Sequence, residues 1–424
     1  EGTSPGPFWK DKKFTSFGQA MQNLENNGVA LNVASFLGAA TTRILEVGYD
    51  NRPATDGEIE RMRGHVKNAM EEGAMGIGSS LIYAPGDYAS TEELIELCKV
   101  ASNYGGMYIS HMRNEDSKVI SALEELIRIS KEADIPAEIY HLKSSRKPNW
   151  SKIDDIIKRV EEVRGQGLKI TADIYTYNAS STGLTGVIPT WVQEGGHRAW
   201  IERMKDPNIR PRLLEDIRKE LSEQPPEGIL MVGFKTSEMS KKYLSKTVAE
   251  AAKMRGQSPE EAIVDMVIED DNRIQCIYFS MSEENIRKKI QLPWVSFCSD
   301  AGVYSDITKD FRTHPRAFGS FVRVLGKYSR DENLFPLEEG IRRLTHFPAS
   351  NLKLKNRGML KENYFADVVI FDPEKVGDKA TFEDPLQYAV GVNHVLVNGV
   401  LVLIDGESTN KFPGRYVKGS GYKN

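Results

Sequence analysis

Met107-Tyr108-Ile109-Ser110-His111 and Ala137-Glu138-Ile139-Tyr140-His141-Leu142-Lys143 are short apolar runs that each close on polar side chains. Between them Ser117–Ala133 repeats Leu and Ile every three or four residues, the spacing of an amphipathic helix. Strand, helix, strand is the unit of a parallel sheet. Working outward, further strand-like runs are Val29–Leu37, Gly73–Leu81, Leu168–Tyr177, Arg273–Met281 and Trp294–Asp300. Asp56–Glu72 and Thr91–Tyr104 carry helical spacing between them. The alternation predicts an α/β chain built as a (β/α) barrel.

Two stretches break the rhythm. From about residue 206 to 271 a Pro225-Pro226-Glu227-Gly228 turn, a short strand Ile229–Phe234 and charged helices read as an insertion over one mouth of the barrel. After helices at Arg316–Tyr328 and Leu337–Leu344 the character changes at Lys353. Strands Asp367–Phe371 and His394–Val402, with Asn398-Gly399 as a hairpin turn and Asp405-Gly406 closing the second strand, predict a small β domain. The expected division is therefore a barrel over 1–352, with its insertion, and a β domain over 353–424.

Composition narrows the function. The 424 residues hold 56 Lys+Arg against 60 Asp+Glu, a net charge of −4, with a pI of about 6.1 and a mean hydropathy of −0.44. A near-neutral surface lacks the global positive field of a nucleic-acid binder. No run approaches the length of a membrane helix, and Glu1–Pro7 lacks the layout of a signal peptide. Cys98, Cys276 and Cys298 are dispersed and form no C-x-x-C pair, so a reducing, cytoplasmic setting is expected. These features fit an enzyme acting on a small molecule; oligomeric state is not encoded in them.

Catalytic residues of such barrels stand at the carboxyl ends of strands. His111 and His141 close adjacent strands, Tyr175 and Tyr177 end another, and Asp300 ends the last. Two imidazoles and a carboxylate converging on one mouth suit a divalent metal that activates water. The plainer readings are a hydrogen-bonded structural histidine in each case, and a helix cap for Asp300. His65, His197, His346 and His394 sit in helical, loop or tail contexts and read as structural or solvated; His314 has no claim from spacing.

Longer motifs point to a family. Gly73–Tyr83, Tyr108–Glu115 and Tyr140–Lys143 resemble the fourth, fifth and sixth strand segments of the N-acyl-D-amino-acid deacylases (D-aminoacylases), a branch of the amidohydrolase superfamily. Thr182-Gly183-Leu184, His314-Pro315-Arg316 and Thr381-Phe382-Glu383-Asp384-Pro385 extend the likeness over nearly the whole chain. The resemblance implies a (β/α)8, TIM-like barrel with a small β domain, and zinc-dependent hydrolysis of N-acyl-D-amino acids. It makes His111 and His141 zinc ligands and Asp300 the carboxylate that manages the proton of the attacking water. Lys143, Tyr175 and Ser181 would face the substrate, and Arg316 would grip its carboxylate, a role suited to a guanidinium. The family's His-x-His and its metal-binding cysteine have no counterpart here, so the chain reads as lacking its first barrel strands. Two rivals remain at this point: a cyclic-amide hydrolase of the hydantoinase or dihydropyrimidinase kind, and a metal-free assembly protein of the same fold.

Overall fold

The computed structural model describes residues 14–304 and 312–423; the reading of Glu1–Pro7 lies outside them. Among the described residues six parallel strands form the central sheet, in the order Leu37–Gly38, Gly76–Ser80, Met107–His111, Ala137–Ile139, Ile170–Ile174 and Val295–Phe297. Tyr108 registers with Ile77 on one side and Ala137 on the other, and Ile174 with Phe297. Ile170–Ile174 is buried at every position, as a strand covered on both faces must be. At Gly76, with φ at 150°, an added Cβ would stand 1.8 Å from the Met107 carbonyl oxygen, so only glycine lets these two strands approach.

The helices are fixed by their own signals. Asp56–Glu71 opens on a capping box between Thr55 and Glu58, and Thr91–Asn103 is capped by Ser90. Val119–Glu132 buries Leu123, Leu126, Ile127 and Ile129 against the sheet. These faces and the strands between them form one continuous apolar core.

Two strand expectations are corrected. Arg273–Met281 does not join the parallel sheet. Its Gln275–Tyr278 is the middle strand of a separate antiparallel sheet, between Ser180–Gly183 and Ile229–Gly233. The parallel place is already filled, because Ile170–Ile174 bonds to Ala137–Ile139 on one edge and Val295–Phe297 on the other. An apolar run alone cannot tell the two environments apart. Of Val29–Leu37, only the end pairs in the parallel sheet; Val29 and Val33 bridge instead to Pro413 and Tyr416 near the other end of the chain.

The antiparallel sheet sits in a second core that includes Leu184, Trp200, Leu213, Tyr243, Val264 and Tyr278. The tail forms a four-stranded antiparallel sheet of Val368–Phe371, Val392–Val397, Val400–Ile404 and Glu407–Ser408. Its two tight turns carry positive φ at Asn398 and Gly399 and at Asp405 and Gly406, as expected of such residues between strands.

Candidate active site

The carboxyl ends of the parallel strands open into a cleft of about 890 Å³, roofed on one side by the insertion. His111 is the last residue of its strand and is buried. His141 lies two residues past Ile139, with φ at 40°. A left-handed backbone is uncommon for histidine, and here it is held by the side chain of Asp173. The His141 amide donates to Asp173 Oδ1 at 2.5 Å. Burial, and then the nearby carboxylate of Glu138, push the Asp173 carboxyl well above its usual range.

The two imidazoles meet edge to face, with ring centroids 4.4 Å apart. Glu115 joins them from the loop after His111: its Oε2 lies 3.2 Å from His111 Nε2 and its Oε1 3.2 Å from His141 Nδ1. Burial works to raise the Glu115 carboxyl, but His111, Lys143 and His141 around it outweigh that and hold it well below its usual range. Burial, followed by the charges of Lys143 and His111, brings the His141 imidazole down to about 4. Potential ligand atoms of His111, Glu115 and His141 lie within 4.8 Å of one another. Two nitrogens and a carboxylate oxygen make a familiar zinc donor set. His111 Nε2, buried beside Glu115 Oε2 but without an aligned hydrogen bond among the described residues, is the kind of atom a metal satisfies. The residues therefore fit zinc.

Around this cluster Lys143 Nζ bonds to Glu115 Oε1 at 2.8 Å and approaches His141 Nδ1 at 2.6 Å. Tyr175 follows its strand directly and is buried, its hydroxyl donating to Met281 Sδ at 3.2 Å. Ser181 stands on Ser180–Gly183 and gives its hydroxyl hydrogen to the Cys276 carbonyl at 2.9 Å, leaving its oxygen free to accept from a ligand. Asp300 lines the cleft with φ at 47°. It does not cap the next described helix, Arg316–Arg323, whose cap position is Pro315. Arg316 begins that helix behind Asp300: its Nη1 lies 2.6 Å from Asp300 Oδ2 and its guanidinium 4.5 Å from the centre of the Tyr175 ring. Of the seven expected site residues, all but Arg316 line the cleft.

Two contributors escape a reading of strand ends. Glu115 stands four residues after His111, inside a quoted motif, but in a loop; its only signal is that spacing. Asp173 lies inside an apolar strand and acts through a backbone amide, which no side-chain pattern reveals. His314 proves structural: its Nδ1 accepts from the Arg316 amide at 3.0 Å, so Nε2 carries the proton and donates to the Ala179 carbonyl at 2.9 Å. Cys98 is buried inside its helix, away from the cleft. Among the described residues no helix is long and apolar enough to cross a membrane.

The chain is similar to known proteins in sequence and fold. Residues 11–403 match the amidohydrolase family. The chain is 32% identical over 403 residues to a D-aminoacylase of Alcaligenes xylosoxydans xylosoxydans, covering 95% of this chain and 73% of that one. A solved D-aminoacylase superposes with a TM-score of 0.80 at 30% identity, over 99% of this chain and 79% of that one. An N-acyl-D-glutamate deacylase of Bordetella bronchiseptica, solved with zinc and a phosphonate that mimics the tetrahedral intermediate, superposes with a TM-score of 0.80 at 28% identity, over 96% of this chain and 76% of that one. A cleft at the strand ends, a His-Glu-His cluster at its floor and a family match over nearly the whole chain lead to one conclusion: the chain belongs to the amidohydrolase family.

Proposed function

We propose that the chain hydrolyses N-acyl-D-amino acids in a zinc-dependent reaction, splitting the linear amide into a carboxylate and a free D-amino acid. The observation that carries this reading is the convergence of His111, Glu115 and His141 at the floor of a cleft that also holds Asp300, Lys143 and Tyr175. His111 and His141 would hold the metal, with Glu115 beside them. Bound zinc supplies Lewis acidity and a water whose pKa falls to about 7.

The chain's own residues supply the rest. Asp300 accepts a proton from the attacking water and returns one to the leaving amine. Lys143 and Arg316 offer cations to a substrate that carries a free carboxylate. Nη1 of Arg316 is already paired with Asp300 Oδ2, while Nε is buried without an aligned hydrogen-bond acceptor among the described residues. Such an orphan donor costs about 1–3 kcal/mol until an acceptor arrives, and a substrate carboxylate sharing the guanidinium with Asp300 provides one. Tyr175 gives this guanidinium a ring to stack on, and Ser181 presents a free acceptor to the substrate. A metal-free assembly role would leave the buried His-Glu-His cluster without a purpose. We place the protein in the cytoplasm because its three cysteines are free and dispersed.

The test is release of free amino acid from a panel of N-acetyl-D- and N-acetyl-L-amino acids and a hydantoin, using purified protein with zinc. Turnover confined to the linear D-substrates is expected. Turnover of the hydantoin alone, or none with any substrate, overturns the reading.

A further inference from the structure

Lys143 Nζ stands 2.6 Å from His141 Nδ1 and 2.8 Å from Glu115 Oε1. One ammonium thus holds two of the three groups that face the metal position. An ammonium only donates, so Nδ1 accepts and the imidazole proton is on Nε2. A neutral imidazole has one free ring lone pair. A cation bound at Nδ1 would need the pair that Lys143 already uses. If it bound at Nε2, the ring proton would move to Nδ1 and point at the ammonium. Whichever nitrogen serves, the hydrogen bond from Lys143 to His141 and a metal on His141 exclude each other.

The lysine also fills the position incompletely. It leaves His111 Nε2 buried beside Glu115 without an aligned hydrogen bond among the described residues, whereas a dication can serve both rings and the carboxylate. A second positive centre beside the dication is repelled across a distance too short for solvent to screen. The open direction for Lys143 is the cleft it already lines, towards Tyr175, whose ring centre is 5.8 Å from Nζ.

We propose that Lys143 is a resident cation in the metal position, and that zinc must displace it, releasing the ammonium from His141 into the substrate cleft. The lysine thereby becomes available to an anionic substrate only when the metal is bound. This rests on the zinc reading given above.

The test uses the full chain stripped of metal by a chelator. Zinc affinity is measured by competition with a chromophoric chelator for wild type, Lys143→Met and Lys143→Gln, after circular dichroism confirms that the variants fold. In parallel, acylation of Lys143 by an amine-selective reagent is followed by mass spectrometry with and without zinc. We expect the variants to bind zinc at least ten-fold more tightly, and zinc to speed acylation of Lys143 in wild type several-fold. Equal zinc affinity with unchanged acylation overturns the displacement and leaves the zinc reading standing. Tighter binding with unchanged acylation reports only the loss of a charge and also overturns it. Zinc binding to none of the three proteins removes the zinc reading itself, and the displacement with it.

Discussion

Arg316 Nη1 and Asp300 Oδ2 are 2.6 Å apart, which ties the first turn of Arg316–Arg323 to the end of the last parallel strand. The expected carboxylate grip and the expected proton carrier are therefore one unit. A substrate carboxylate must share the guanidinium with Asp300 rather than meet it free. Arg316→Ala should raise KM for an N-acyl amino acid by the loss of about 1.5–3 kcal/mol, the range for a charged hydrogen bond. It should also lower kcat, because Asp300 loses the partner that orients it. The control is the corresponding amide, which has no carboxylate: its KM should barely change. If wild type and variant discriminate equally between acid and amide, Arg316 does not bind the substrate carboxylate.

Asp300→Asn isolates the proton step. The variant should retain zinc and bind substrate nearly as before, while kcat falls by about 10²–10⁴-fold, the usual worth of a positioned general base. Turnover near that of wild type would leave Asp300 as no more than the anchor of Arg316.

The metal cluster gives a graded expectation. His111→Ala or His141→Ala should abolish stoichiometric zinc, read by metal analysis after gel filtration. Glu115→Gln keeps the shape but loses the charge, and should weaken zinc by about 10–100-fold, since even a carboxylate one shell out is worth that much. Unchanged affinity in Glu115→Gln would confine Glu115 to holding the side chains around it.

Lys289 supplies a pH dependence. Its ammonium is buried beneath the site, donating to the Leu142 carbonyl at 2.6 Å, and burial followed by the charge of Lys143 brings it down to about 7. An unfolded lysine titrates near 10.4. Between about pH 7 and 10.4 the unfolded chain therefore holds the extra proton, and stability rises with pH by up to about 1.4 kcal/mol per unit from this group. Denaturant melts across that range should show the rise in wild type and a flatter line in Lys289→Met. Parallel lines for the two proteins would rule Lys289 out as the cause.

The parallel sheet and the places of His111, His141 and Asp300 were legible in the chain, because local facts carry them. Short apolar runs and capped helices at regular intervals dictate βα units, and the end of a strand is written in its last residues. The turns at Asn398-Gly399 and Asp405-Gly406 were legible for the same reason: their positive φ is a property of those residue types. What only the tertiary structure decided depends on partners distant in sequence. Gln275–Tyr278 reads as apolar strand in either sheet, and its antiparallel place follows from a parallel edge already occupied by Val295–Phe297. Glu115 gains its meaning from two imidazoles on different strands, and Asp173 from an amide one strand away. The pairing of Arg316 with Asp300, and of Lys143 with His141, is likewise a contact between side chains. Spacing along the chain specifies which strand end a residue occupies, while which neighbour takes its charge or lone pair is settled only when the strand ends are brought together.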